Sequence, residues 1–191
     1  MTSLLLLIAS TLLITQSEAA APQSSPVHEF RSHPNWPAAR PSDVGAIRGI
    51  VEAFFDAIST SKGETLDRRR LESLFAPGGR IEIPIQASDK PSTDAVFVSS
   101  DAYSDMSDTG TKHEGFFDHL IAMRVQQFSI MAHVWASYES RKNQNDPRPF
   151  VRGIKSFELL NRGGRWYITQ VAWVREDKNN PIPAIYMHDS P

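Results

Sequence analysis

Two side chains on neighbouring predicted strands are the best candidates for acid–base chemistry, His119 and Tyr138. Strand periodicity places His119 on an otherwise apolar face, where a neutral imidazole can act as a general base near neutral pH. Tyr138 can orient a carbonyl or enolate oxygen in the same cavity. Each has a structural alternative: a hydrogen-bonded core histidine, and a core tyrosine whose hydroxyl reaches the rim.

A second set of side chains can line a cavity between these strands and the helices that precede them. All but one are apolar or aromatic: Phe54, Phe55, Asp56, Phe117, Met123, Val134 and Trp173. Asp56 lies beside the apolar stripe of its helix, so it either faces the cavity mouth or is a solvated carboxylate. Parity places Trp173 and Trp166 on opposite faces of the last strand. If the bulky side chains fill the space, no room remains for a ligand.

Alternation also sorts the faces of the first two long strands. We expect the concave, helix-facing side to carry Phe117, His119, Ile121, Met123 and Val125, followed by Ile130, Ala132, Val134, Ala136 and Tyr138. Asp118 and Arg124 then fall on the opposite face, where they can pair across the sheet or at an interface.

The sequence predicts no cofactor. His113, His119 and His133 are scattered, and the chain has no cysteine, so neither a histidine nor a thiolate metal motif is present. Two glycine pairs, at 78–79 and 163–164, precede strands rather than helices and therefore do not form a phosphate-binding loop.

The elements that must position these residues follow from periodicity and turn signals. Residues 150–175 form two β-prone runs around Gly163-Gly164, which predicts an antiparallel hairpin. Strands are expected over about 115–126 and 130–141, with a shorter one at 81–85 in which Pro84 suggests a sheet edge. Helices are expected over about 43–59, from Thr65 or Asp67 to Phe75, and over about 101–109.

Composition excludes several partners. Lys and Arg total 20 against 22 for Asp and Glu, and the one basic run, Arg68 to Arg70, reads as the solvated face of a helix. We therefore predict no nucleic-acid partner and no membrane partner after signal cleavage. The apolar run Leu4 to Ile14, followed by small residues, predicts a signal peptide over 1–21 and export to the periplasm or medium.

The order of elements and several short motifs resemble the nuclear transport factor 2-like superfamily. The motifs are Val51 to Ile58, Leu74 to Gly79, Ala132 to Glu139 and Gly164 to Ile168, within a region of about 43–175. The chain looks most like SnoaL-like, exported bacterial members of this superfamily. The resemblance implies an α+β fold in which three N-terminal helices pack on a curved, mainly antiparallel sheet, shaped like a cone.

The predicted organisation is a signal peptide at 1–21, an irregular lead-in at 22–42, a SnoaL-like domain at 43–178 and an extended tail at 179–191. The resemblance further implies a cavity for a small, largely apolar molecule and a homodimer through the convex sheet face. The aspartate and acidic pair of ketosteroid isomerase cannot be placed on matching positions. Three functions stay open: binding a small molecule, cofactor-free acid–base catalysis by His119 and Tyr138, and an interaction module with a filled cavity.

Overall fold

The computed structural model describes residues 30–85 and 94–189. Four helices and six strands make up these residues, together with two 3-10 turns at Phe30–Ser32 and Ala184–Tyr186. The helices are α1 Pro41–Val44, α2 Ile47–Ala57, α3 Arg68–Leu74 and α4 Ser100–Thr111. The strands are β1 Phe75–Pro84, β2 Ala95–Val98, β3 Phe117–Phe128, β4 Met131–Arg141, β5 Val151–Arg162 and β6 Arg165–Arg175. The predicted signal peptide lies outside the described residues.

A single six-stranded sheet carries the fold, with the strand order β2-β1-β6-β5-β4-β3. Strands β3 to β6 form an antiparallel meander, as the sequence predicts, and β1 joins it by pairing in parallel with β6. Gly163 and Gly164 form the β5–β6 turn with φ of 64° and 78°, a conformation that glycine adopts without strain. Strand β1 lies between β2 and β6, so the edge position suggested by Pro84 is wrong.

The helices cover one face of the sheet. Helix α2 buries the face carrying Ile50, Val51, Phe54 and Phe55, in the three-and-four spacing that predicts an amphipathic helix. The single helix expected over 43–59 is divided, because Ala46 adopts an extended conformation between α1 and α2. Asp67 and Ser99 cap α3 and α4 through their side-chain oxygens, as predicted from the residue types.

Ion pairs connect the helices at their outer surface. Arg70 pairs with Asp43 at 2.9 Å and also contacts Asp56, while Arg68 pairs with Asp108 at 2.7 Å. The basic run is therefore partly engaged in contacts between helices rather than only solvated. The observed arrangement confirms the predicted fold class, an α+β domain with helices packed on a mainly antiparallel sheet.

The C-terminal tail lies on the convex face of the sheet, opposite the helices. Ser137 Oγ donates a hydrogen bond to the Tyr186 carbonyl at 2.5 Å, and Arg124 donates to the Ile185 carbonyl at 3.2 Å. Beyond these contacts, the Asp189 carboxylate accepts a hydrogen bond from the Met123 backbone at 2.8 Å. The tail thus crosses the sheet and reaches the free edge of β3.

Candidate active site on the concave face

Lys155 is a fully buried lysine at the centre of the concave face. It lies on β5, where strand alternation places it on the same face as Gly153, Phe157 and Leu159, all of which are buried. Only 2% of its side chain is accessible to solvent. A lysine in such a position requires a compensating partner, because removing an ammonium group from water is costly.

The partner of Lys155 is Asp118 on β3. The Lys155 Nζ atom lies 3.0 Å from Oδ2 of Asp118, whose side chain has no solvent exposure. Ser140 on β4 donates a hydrogen bond to the other carboxylate oxygen, Oδ1. The backbone N–H of Asp118 in turn donates to Ser59 Oγ at 2.9 Å, which fixes the strand against the end of α2.

Three aromatic rings surround the ammonium group. The Nζ atom of Lys155 lies 4.1 Å from the ring centroid of Tyr138, 4.4 Å from that of Trp173 and 5.6 Å from that of Phe55. Cation–π attraction at these distances supplies part of the stabilisation that water would otherwise give. The lysine is thus held by one carboxylate and by the faces of aromatic side chains.

A cavity of about 220 Å³ opens beside this cluster. Its walls come from α4, from the three central strands and from Ile83 of β1. The other lining residues are Tyr103, Met106, Ser107, Phe116, Tyr138, Ser140, Val151, Lys155, Trp173 and Arg175. A second cavity of about 250 Å³ shares Tyr103, Ser107 and Phe116 with the first. Both volumes exceed the roughly 150 Å³ that suffices for one benzene ring.

Burial perturbs the proton affinities of the groups around the cavity. Desolvation lowers the pKa of Lys155, although the charge of Asp118 and its hydrogen bond act in the opposite direction. Desolvation also raises the pKa values of Tyr103 and Tyr138, and the nearby negative charge of Asp118 adds to both shifts. The site therefore combines an amine that gives up its proton more readily with two phenols that retain theirs.

The predicted concave placement of His119 and Phe117 is wrong. Ile121 has no partner on β4, because the register passes from Leu120 opposite Tyr138 directly to Ala122 opposite Ser137. This β-bulge adds one residue to β3, so the β3 residues that precede Ile121 face the side opposite to the one that strict alternation predicts. Asp118 and Leu120 consequently share the concave face with Tyr138.

The same bulge moves His119 to the convex side, where it lies opposite Glu139. The acid–base role predicted for His119 depended on its facing the cavity, and it is not among the residues that line this cavity. Asp118 and Arg124, predicted to share a face, are separated by the bulge: Asp118 pairs with Lys155, and Arg124 contacts the tail.

A second bulge corrects the prediction for the two tryptophans. Thr169 on β6 has no partner, since Glu158 lies opposite Gln170 and Leu159 lies opposite Ile168. Trp166 and Trp173 therefore lie on the same face rather than on opposite faces. Trp166 is part of the buried core, whereas Trp173 lines the cavity and contacts Lys155.

The remaining predicted ligand-binding residues occupy different places. Phe54, Met123 and Val134 are buried in the core and are absent from the cavity wall. Phe55 is also in the core, and its ring is close to Lys155. Asp56 is exposed and pairs with Arg70 at the surface of the helices. Tyr138 and Trp173 are the two predicted residues that the structure brings together at the cavity.

Three residues of the site were missed by sequence reasoning: Lys155, Tyr103 and the concave Asp118. The alternation of Gly153, Lys155, Phe157 and Leu159 contains the signal for Lys155, because a lysine within an apolar strand face is unusual. Tyr103 lies on a helix with few apolar residues and carries no such signal. The concave position of Asp118 results from the bulge at Ile121, which strict alternation does not predict.

Within 30–85 and 94–189, no group of three or more His, Asp or Glu side chains is arranged to hold a metal ion. Over the same ranges, no helix has the length and apolar character needed to span a bilayer.

Solved structures of other proteins share this architecture. A protein of unknown function from Mycobacterium tuberculosis aligns with a TM-score of 0.54 at 13% identity, covering 73% of this chain and 75% of its own. A cystatin-like fold protein from Nostoc punctiforme aligns at 0.52 and 10% identity, over 69% and 90%. A protein provisionally assigned as a scytalone dehydratase, from Novosphingobium aromaticivorans, aligns at 0.51 and 15% identity, over 72% and 91%.

Neither a protein-family model nor a curated protein sequence matches the chain. The structural similarity at these identities establishes the fold and leaves the reaction open. An NTF2-like protein of unknown function from Pseudomonas putida aligns with a TM-score of 0.50 at 14% identity, covering 70% of this chain and 88% of its own. The chain therefore has the cone-shaped α+β fold of the nuclear transport factor 2-like superfamily, as the motifs in its sequence suggest.

Proposed function

We propose that this protein binds a small, largely apolar molecule in the cavity between the sheet and α4. The observation that supports this most directly is the cavity of about 220 Å³ whose wall combines aromatic rings with the amine of Lys155, which pairs with the buried Asp118. Ligand sites are typically apolar hollows with a few fixed polar groups, and this cavity has that composition. Phe54 and Met123 fill the core elsewhere, so the alternative of a completely filled cone has less support.

The cavity size defines the ligands to be tested. A single aromatic ring with a short substituent fits a volume of this order. Benzyl alcohol is a suitable first probe, and native mass spectrometry of freshly purified protein reports any molecule retained from the cell. A ligand at 100 times its Kd stabilises the folded state by about 2.7 kcal/mol, which a thermal unfolding assay resolves.

A matched pair of variants on one helix makes this test specific. Ser107 lines both concave cavities, whereas Thr109 is exposed on the same helix. Ser107→Phe should abolish the stabilisation by benzyl alcohol, and Thr109→Phe should leave it unchanged. Equal stabilisation of both variants, or no retained molecule and no stabilisation of the parent protein, would contradict binding in this cavity.

Cofactor-free acid–base catalysis is the second candidate function. The observation that favours it is the Asp118–Lys155 pair, in which an amine of lowered pKa at the cavity wall lies against a buried carboxylate. In this form of the hypothesis Asp118 and Lys155 replace His119, and Tyr138 keeps its role of orienting an oxygen. Exchange of the α-protons of phenylacetone with deuterated water, followed by NMR, tests it. Asp118→Asn should remove the exchange above buffer background.

We also retain two proposals about context. Export is supported by the apolar N-terminal run alone, and cell fractionation with N-terminal sequencing tests it. A homodimer through the convex face is supported by the exposed Trp135 and Val174, which the tail leaves partly uncovered. Sedimentation of the parent protein and of Val174→Glu tests the dimer, since a buried glutamate should dissociate it.

A further inference from the structure

The buried amine of Lys155 adjoins an open cavity. Lys155 is among the residues that line it, and the carboxylate of Asp118 lies 3.0 Å from the amine. Folding alone is weak grounds for such a pair, because apolar side chains of similar volume often stabilise a core as well as a buried ion pair does. An amine at the wall of a cavity, with a carboxylate held directly behind it, therefore suggests chemistry on a bound molecule.

We propose that Lys155 captures a small aldehyde or ketone as a protonated imine, with Asp118 as the proton carrier. The inference rests on the proposed binding function and adds the chemical class of the ligand. The overall step joins the lysine ammonium and the carbonyl compound and releases one water, so that the product keeps a single positive charge.

The protons can be followed through this step. Asp118 takes one proton from the ammonium, and the nitrogen lone pair of Lys155 then forms a bond to the carbonyl carbon. The π electrons of the carbonyl move to its oxygen, which receives the proton from Asp118. Asp118 next removes a second proton from nitrogen and passes it to the hydroxyl, which leaves as water while the C=N bond forms. The third ammonium proton stays on the imine nitrogen.

The surroundings suit both the reactant and the product. Tyr138 and Trp173 present their ring faces to Nζ at 4.1 and 4.4 Å, and these faces stabilise a protonated imine as they do an ammonium. The carboxylate of Asp118 remains within reach as the counter-ion. The aromatic and apolar part of the wall accommodates the apolar body of a carbonyl compound.

Burial also favours the reactive form of the amine. Desolvation lowers the pKa of Lys155, so that a larger share of its amine is neutral at pH 7. The charged and titratable groups that face it come from four elements: Asp118 of β3, Tyr138 of β4, Arg175 of β6 and Tyr103 of α4. Asp118 favours the ammonium, whereas Arg175 acts with burial to favour the neutral amine.

Reductive trapping tests the proposal directly on the intact protein. Benzaldehyde is added at pH 7 with sodium cyanoborohydride, which delivers hydride to the imine carbon and leaves a stable benzylated lysine. Peptide-resolved mass spectrometry then compares Lys155 with Lys142. Lys142 is a suitable internal control because it also forms an ion pair, at 2.7 Å with Glu114, but is 49% exposed.

We expect benzylation of Lys155 to be faster than that of Lys142, because burial lowers the pKa of Lys155 and so raises its share of neutral amine. Asp118→Asn, checked for folding by circular dichroism, should slow trapping at Lys155 and leave Lys142 unaffected. Labelling of Lys142 without labelling of Lys155 in the parent protein would overturn the proposal, with no need for a variant.

A parallel measurement separates this outcome from failure of the binding function. Benzyl alcohol has nearly the same size as benzaldehyde and cannot form an imine. If benzyl alcohol raises the unfolding temperature and Lys155 stays unlabelled, the cavity binds ligands and the carbonyl chemistry is wrong. If neither probe stabilises the protein and Lys155 stays unlabelled, both proposals fail.

Discussion

Replacing Lys155 by methionine should destabilise the protein much more than the same change at an exposed lysine. The variant leaves the carboxylate of Asp118 buried, with the hydroxyl of Ser140 as its remaining side-chain partner. Removing one partner of a buried ion pair costs about 3–5 kcal/mol. In a chain of 191 residues, each kcal/mol corresponds to about 2–4 °C, so the midpoint should fall by about 6–20 °C.

Lys142→Met is the matched control for this prediction. Its ion pair with Glu114 is shorter than that of Lys155, at 2.7 Å, but both side chains are about half exposed. Exposed pairs of this kind contribute about 0–1 kcal/mol. Thermal and urea unfolding followed by circular dichroism measure the loss of unfolding free energy in each variant. The difference between the two losses reports the effect of burying an ion pair, since both lysines form one.

The double variant Lys155→Met, Asp118→Leu completes the cycle. An apolar pair of similar volume is often as stable as the ion pair it replaces, so the double variant should recover part of the loss. The hydroxyl of Ser140 then lacks its acceptor, which costs about 1–3 kcal/mol. Losses of Lys155→Met below about 1 kcal/mol, or a double variant equal to the sum of the single losses, would refute the reasoning.

Three other perturbations give distinct outcomes. The free energy of unfolding of the parent protein, relative to that of the double variant, should rise with pH below the ordinary lysine pKa. The pKa of Lys155 is lowered in the folded state, so the folded protein loses this proton at a lower pH than the unfolded chain does. Unfolding curves of both proteins over a range of pH measure the difference, and a decrease of that difference with rising pH would contradict the prediction. Gly153→Ala should cost about 1–3 kcal/mol in urea unfolding, since a Cβ there would collide with the backbone carbonyl oxygen of Val174 and lie 2.8 Å from the Tyr138 ring. Gly110→Ala meets nothing within 4 Å and should be neutral or slightly stabilising. Asp189→Ala should accelerate amide hydrogen exchange at Met123, whose N–H it accepts at 2.8 Å, and unchanged exchange would show that the tail does not protect this edge.

Local signals in the sequence were sufficient for the fold. The Gly163-Gly164 pair identifies a turn that only residues tolerant of positive φ adopt easily, and the adjoining β-prone runs determine which strands it joins. Amphipathic spacing in α2 and the capping residues Asp67 and Ser99 fix the helices in the same way. Each of these signals acts within a few residues, which is why it is readable without tertiary structure.

The site was less predictable because strand parity is not a local property. Leu120, Ile121, Ala122 and Met123 form a continuous apolar run, so nothing in residue type marks Ile121 as the unpaired position. One bulge reverses the face assigned to every side chain on one side of it. His119 therefore lies on the convex face and Asp118 on the concave face, the reverse of what alternation predicts. The bulge at Thr169 produced the same kind of error for the tryptophans.

The Lys155–Asp118 pair is the feature of this cone that packing explains least. Its two side chains are essentially inaccessible to solvent. The cost of removing two charges from water offsets their attraction, so such a pair often stabilises a fold no more than apolar residues of similar volume do. The rings of Tyr138 and Trp173 contact the ammonium group, and the hydroxyl of Ser140 donates a hydrogen bond to the carboxylate. Three neighbouring side chains therefore stabilise the two buried charges. The amine of this pair lines an open cavity, and burial lowers its pKa. A ligand that uses the amine accounts for the pair better than packing does.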